Sequence, residues 1–163
     1  SVDICFLPHG NYQKLVVEEM KTKPKSGNIV TEDGEILGKH TGLFNYTIGQ
    51  RKGLGIAYKH PLYVIGFNGE RNEVIVGPNE RLFTNRMICK FYNFLDDTIH
   101  KELKAEGKIR YAANPSPCTA RILDDDTMEV IFEEPQRAIT PGQSVAFYNG
   151  TQLLGGAVID RVC

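Results

Sequence analysis

Residues 127–159, "TMEVIFEEPQRAITPGQSVAFYNGTQLLGGAVI", decide the fold. Three short runs rich in β-branched and aromatic residues, "TMEVIFEE", "SVAFYNG" and "QLLGGAVI", are separated by clusters of Pro, Gly, Asn and Thr. Such runs fit a pleated surface, and the clusters between them supply turns. Moving toward the N-terminus, the same rhythm continues through "CTARIL" (118–123), "GKIRYAA" (107–113) and "RMICKFYNFL" (86–95). Short strands at roughly ten-residue spacing predict a small barrel or sandwich.

Upstream of Pro78 the pattern changes, which places a boundary near residues 78–84. The expected division is a lead-in over 1–22, a central β-rich module over 23–80 and a C-terminal β domain over 81–163. In the central module, "NIVTEDGEILGKH" is two apolar runs joined across Asp33-Gly34. Asp-Gly suits a tight type I′ hairpin, whose central residues both need positive φ. "LYVIGFNGERNEVIVG" predicts a second hairpin with Asn68-Gly69 in or near its turn. In the lead-in, "NYQKLVVEEMK" (Asn11–Lys21) predicts a short helix: Leu15, Val16 and Met20 recur at helical spacing, and Asn11 is a suitable N-cap. Pro24 and Gly27 then break it.

The chain has 163 residues, 41% hydrophobic and 24% charged, the composition of an ordinary soluble globular protein. Its apolar runs are too short to span a membrane, and no basic start followed by a long apolar stretch marks a signal peptide. A cytoplasmic location is expected. The four cysteines, Cys5, Cys89, Cys118 and Cys163, lie far apart without a CxxC pair, which argues against zinc and fits reduced thiols. No metal site is expected.

The net charge of -1 hides a segregation. Ile36–Gly69 holds Lys39, Arg51, Lys52, Lys59, His40 and His60 without one Asp or Glu. A second acid-free stretch, Gly107–Leu123, carries Lys108, Arg110 and Arg121, and the counterweight is "DDDTMEVIFEE". Two basic stretches in a nearly neutral chain suit either a phosphate-binding face or a solvated surface with scattered charges.

Chemistry points first to "TGLFNYTIGQRKGLGIAYKHPLYVIG", where Gln50, Arg51 and Lys52 cluster among glycines. It is no nucleotide-binding loop, because no Lys-Ser/Thr follows the glycines and Gly53-Leu54-Gly55 lacks a third glycine at the required offset. Arg and Lys on such a turn either grip phosphates or belong to a structural connection between strands. At the other extreme of the chain, Val2, Ile4, Cys5, Phe6 and Leu7 make an apolar start that reads as the inside of a packed domain.

Taken in order, "DICF", "GNIVTEDGEILGKHTGLFNYTIGQRKGLGI", "LYVIGFNGERNEVIVG", "KIRYAANPSPCTA" and "EEPQRAITPGQSVAFYNG" with "LLGGAVI" resemble the tRNA-specific 2-thiouridylase family. These enzymes replace the C2 oxygen of the wobble uridine with sulfur. The resemblance runs from Asp3 to Ile159 and rests on two long motifs, "GxHxGLxxYTIGQRxGLGI" and "TPGQxxxFY". Some members carry an older methyltransferase label, but no methyl-donor site is visible here.

The resemblance implies a mainly β protein: a small β-rich module, then a six-stranded barrel like domain two of elongation factors. It implies that Cys5, the cysteine of "DICF", carries the sulfur as a persulfide, and thiolate nucleophilicity suits that task. ATP with Mg2+ would adenylate the uridine C2 oxygen in a domain with an "SGGVDSS"-type loop, which this chain lacks. A second cysteine there would release the sulfur by forming a disulfide with the first, so the chain alone is expected to be inactive. Partners implied are tRNA and a sulfur-relay donor protein or cysteine desulfurase. The family's tRNA contacts match Arg110, Tyr111 and Gln143, with Gln50, Arg51 and Lys52 as further tRNA or interdomain candidates. Without the resemblance, Tyr111 reads as barrel core, Gln143 as an ordinary turn residue and Cys5 as a buried thiol. Cys89 and Cys118 read as core in either case. The rival reading is a non-catalytic RNA-binding or translation-factor-like barrel module.

Overall fold

The computed structural model describes residues 24–96 and 101–163; Cys5 and the helix expected over Asn11–Lys21 lie outside the described residues. The chain forms two compact units that divide between Asn79 and Glu80.

The first unit is built on a four-stranded sheet. Strands β1 (Gly27–Thr31) and β2 (Ile36–His40) form one hairpin, and β3 (Tyr63–Asn68) and β4 (Glu73–Gly77) form the other. The hairpins join through parallel pairing of β1 with β4, Ile29 opposite Val74, giving the order β2-β1-β4-β3. Alternation turns Val74 and Val76 inward, where they pack with Ile29, Val64, Leu54 and Leu62. The first turn departs from the type I′ expectation. Gly34 N–H donates to Thr31 C=O at 3.0 Å and Gly34 alone takes positive φ (85°), so Asp33 stays in the ordinary region. The result is a wider three-residue loop, Glu32 to Gly34, that needs one left-handed residue instead of two.

A buried histidine ties the two hairpins together. Gly42 N–H donates to His40 Nδ1 at 3.1 Å, which puts the proton of the neutral ring on Nε2, 2.9 Å from Asn72 C=O. Asn72 sits at φ 54°, and its side-chain amide donates to Ser26 C=O at 2.9 Å. A side chain at Gly27 would collide with Asn72 C=O and the His40 ring, so only glycine fits beside this pair.

The second unit is a closed antiparallel barrel of six strands in the order β10-β5-β8-β7-β6-β9. The strands are β5 (Phe83–Phe94), β6 (Glu102–Lys108), β7 (Ser116–Ile122), β8 (Thr127–Arg137), β9 (Ser144–Asn149) and β10 (Gln152–Val162). Closure pairs every strand on both sides, and the inward residues fill the interior with Phe132, Phe147, Met87, Met128, Val130 and Ile159. One boundary differs from the sequence pattern: "GKIRYAA" does not continue as a strand. β6 ends at Lys108, Ile109 is buried in the core, and the chain then turns, with Ala113 N–H donating to Arg110 C=O at 3.1 Å.

Outside the barrel, Glu129 on β8 is nearly covered by two arginines. Arg86 Nε on β5 lies 2.7 Å from its carboxylate, and Arg121 on β7 lies 3.8 Å from it while meeting Glu102 on β6 at 3.1 Å. This ladder crosses four neighbouring strands and occupies Arg121, one of the cations of the second acid-free stretch.

Candidate nucleic-acid interface

Antiparallel closure puts the ends of β6, β8 and β10 and the starts of β5, β7 and β9 at one end of the barrel. Two loops meet there, 109–115 and 138–143. The second contains "TPGQ", which folds as a turn from Thr140 to Gln143. Pro141 supplies the fixed φ, Gly142 takes φ 85°, and Gln143 N–H closes on Thr140 C=O at 3.2 Å, the pattern of a type II turn. Gly142 N–H to Ile159 C=O and Ile159 N–H to Gln143 C=O, each 2.8 Å, fasten the turn to β10. Gln143 therefore has a fixed backbone and an exposed side chain.

Arg110 connects the two loops. Its Nη2 donates to Ala138 C=O and to Thr140 Oγ1 at 3.4 Å, and Thr140 Oγ1 itself donates to Ala138 C=O at 3.0 Å. Ala138 holds a left-handed conformation at φ 55°, a strained position for alanine that this clamp supports. Partial burial, and then the neighbouring Arg137, pull the Arg110 pKa below its ordinary value. A guanidinium remains charged under such a shift.

The next residue, Tyr111, is 93% exposed, with Lys108 Nζ 5.6 Å from its ring centroid. Tyr111 is thus not barrel core: the chain has left β6 by this point, and Ile109 fills the interior instead. The structure brings Arg110, Tyr111 and Gln143 to one barrel end, with Arg110 in a bracing geometry. Lys108 and Thr140 complete the arrangement. Lys108 was visible in the sequence only as a member of a basic stretch, and nothing local marks Thr140 as a partner of Arg110.

In the first unit, Gln50 is engaged within its own loop. Its side-chain oxygen accepts from Thr47 N–H at 3.0 Å, and its amide donates to Lys52 C=O at 3.0 Å. Its backbone pairs with β3, Val64 N–H donating to Gln50 C=O at 2.9 Å. Arg51 and Lys52 project from this braced turn and are exposed. The segment that follows lines an open cleft of about 480 Å3 containing Arg51, Tyr58, Lys59 and His60.

Among the described cysteines, Cys89 and Cys118 are buried in the barrel core. Burial, reinforced by Asp160, pushes Cys89 up to about 12. Burial likewise pushes Cys118 up to about 11, against the Gly107 N–H that favours its thiolate. Both stay protonated thiols at neutral pH and are poor nucleophiles. Cys163 is exposed.

Comparison with known proteins matches each unit to a family model of its own. Residues 84–159 match the Aminomethyltransferase beta-barrel domain, and residues 14–78 match the tRNA methyl transferase PRC-barrel domain. The chain is 44% identical over 162 residues to the tRNA-specific 2-thiouridylase MnmA of Clostridioides difficile, covering 99% of this chain and 45% of that relative. It is 45% identical over 163 residues to MnmA 1 of Clostridium tetani, again with 99% and 45% covered. The chain belongs to the tRNA-specific 2-thiouridylase family. It spans a little under half the length of the 2-thiouridylases it matches. As a member of that family it presents a six-stranded barrel and a separate small sheet. Among the described residues, no helix is long and apolar enough to cross a membrane, and no group of three His, Cys, Asp or Glu is placed to hold a metal.

Proposed function

We propose that this chain is the tRNA-docking part of an enzyme that replaces the C2 oxygen of the wobble uridine with sulfur. The observation that carries the reading is the barrel end where Arg110 fastens two loops together and leaves Tyr111 and Gln143 facing solvent. An exposed tyrosine stacks on an unpaired base, glutamine hydrogen-bonds base edges or phosphate, and Lys108 adds positive charge beside the ring. Membership of the tRNA-specific 2-thiouridylase family supports tRNA as that RNA. Arg110 acts here as a positioning residue for both loops, and any phosphate it meets is met by a guanidinium already anchored through Nη2.

In this reading Cys5 carries the transferred sulfur as a persulfide, supplied by a sulfur-relay protein or cysteine desulfurase, and the enzyme works in the cytoplasm. The described residues do not fit an ATP–Mg2+ site. The glycine-rich stretch leads into strand β3, not into a helix whose N-terminus would receive phosphates, and no carboxylate lines its cleft. ATP is assigned to the portion of the relatives that this chain does not span.

Titration of the chain with tRNA at several salt concentrations tests the docking role. Binding should weaken with salt, with a log–log slope of roughly -0.7 to -0.9 per phosphate contact. Tyr111→Ala should cost about 1–3 kcal/mol and Tyr111→Phe little, because the ring and not the hydroxyl stacks. No binding at low salt would overturn the docking role. For the catalytic half, Cys5→Ser in the full-length enzyme should abolish tRNA thiolation, and an active variant would remove Cys5 from the mechanism.

A further inference from the structure

The first unit carries a second constellation suited to RNA, independent of the barrel end. Residues 51–62 enclose an open cleft of about 480 Å3, within the ~300–1,000 Å3 typical of ligand sites. Its lining holds Arg51, Lys59 and His60 and not one carboxylate, which selects against cations and metals and for an anion. Buried Leu54 and Leu62 give it an apolar floor. Tyr58 supplies a half-exposed aromatic wall, with the His60 ring edge-on at 5.0 Å and Lys59 Nζ 5.8 Å from the Tyr58 centroid. At Gly55, which takes φ 66°, nothing lies within 4 Å of where a side chain would stand, so an approaching group reaches the backbone there unobstructed. The Gln50 side chain, bonded to both Thr47 N–H and Lys52 C=O, fixes the turn from which Arg51 projects.

Cations beside an aromatic face over an apolar floor match a nucleotide: a flat base for the ring and phosphate for the cations. The cleft is open, and no helix begins within residues 51–62 to receive a polyphosphate. A free nucleotide carries its phosphates on one side of its sugar, whereas a strand brings successive phosphates to cations spaced along the loop. We propose that loop 51–62 holds an unpaired nucleotide of RNA, with its base on Tyr58 and its flanking phosphates at Lys59 and Arg51. The Lys59 ammonium now over the ring is the group a stacking base displaces toward phosphate. This inference rests on the RNA-docking reading above and adds a contact in the other unit.

The test is fluorescence anisotropy of the 163-residue chain with a labelled single-stranded oligouridylate at several salt concentrations, together with tRNA. Tyr58→Ala should weaken oligouridylate binding roughly 5- to 100-fold, and Tyr58→Phe should change it less than about twofold. Lys59→Ala should reduce the salt slope by about 0.7, the single-strand value for one phosphate. If Tyr58→Ala binds like the parent chain while Tyr111→Ala is weakened, the cleft proposal falls and the barrel reading stands. If neither RNA binds at low salt, both fall. Saturable competition by free UMP or ATP at micromolar concentration would also overturn the proposal, since the cleft would then be a free-nucleotide site. Should Tyr58→Ala lose its circular-dichroism signature, cross-linking of 4-thiouridine RNA to the parent chain and to Tyr58→Phe decides. Adducts on the peptide containing residues 51–62 sustain the proposal, and adducts confined to other peptides overturn it.

Discussion

The two units solve one physical problem in different ways. In the barrel, closure satisfies the backbone: each strand has a partner on both sides, and stability comes from the apolar interior around Phe132 and Phe147. The four-stranded sheet has two outer strands and a long connection, and it uses polar side chains where the barrel uses strands. His40 bridges Gly42 N–H and Asn72 C=O, Asn72 reaches back to Ser26, and Gln50 braces the turn whose backbone covers the outer edge of β3. The difference teaches where each unit is vulnerable. A cavity should damage the barrel most, and the loss of one polar side chain should damage the sheet most.

The largest expected effect is in the barrel. Phe132→Ala removes a fully buried ring and should cost about 3–5 kcal/mol, read as a shift in the denaturation midpoint with loss of amide protection strongest on β7 and β8. A loss below about 1 kcal/mol would mean that the interior collapses around the gap and that closure, not packing, dominates.

His40→Ala should come next. It leaves Asn72 C=O and Gly42 N–H without partners in a buried setting, at a cost of about 2–3 kcal/mol. Exchange should accelerate first at Ile29 and Val74, the paired centre of the sheet. Unchanged protection there would break the comparison, because the polar bridge would then be dispensable.

The smallest effect is a pH dependence that arises in the barrel. Cys89 and Cys118 have folded-state values of about 12 and about 11 against 9.0 for a free thiol. The unfolded chain therefore loses these protons first. Stability is fully present below pH 9.0 and falls as pH rises toward 11 to 12. The loss should be on the order of 1 kcal/mol per thiol by pH 10. Cys89→Ala should flatten the slope of the denaturation midpoint over roughly pH 9 to 10.5; an unaltered slope would assign the effect to other groups.

Much of the fold was legible because strand patterning is local. Five of the six β runs after Pro78 became barrel strands, "GKIRYAA" overlapping β6 only at Gly107 and Lys108, and Asp33-Gly34 and Asn68-Gly69 did mark the hairpin loops. The type I′ expectation at Asp33 failed because Asp-Gly is compatible with more than one turn, and the pairing across Thr31 and Glu35 selected the wider one. The parallel pairing of β1 with β4 carries no local signature, since it joins residues far apart in the chain. Tyr111 was ambiguous for a related reason. An aromatic at the end of an apolar run reads as core unless the point where the strand stops is known, and Ile109 takes the last inward place.

By itself the sequence determined the β class, the family resemblance and the buried character of Cys89 and Cys118. These follow from residue type and short-range order, which act through propensity, turn chemistry and hydrophobic alternation. Tertiary packing alone settled which polar and charged side chains are engaged and which face solvent. Arg121 is drawn into the ladder with Glu102 and Glu129, Arg110 clamps Ala138 and Thr140, and Gln50 closes on its own loop. Tyr111 and the Tyr58 cleft are left open to solvent. Charge availability depends on which strands become neighbours, and in a barrel that is settled by closure, a property of the whole sheet and of no single segment.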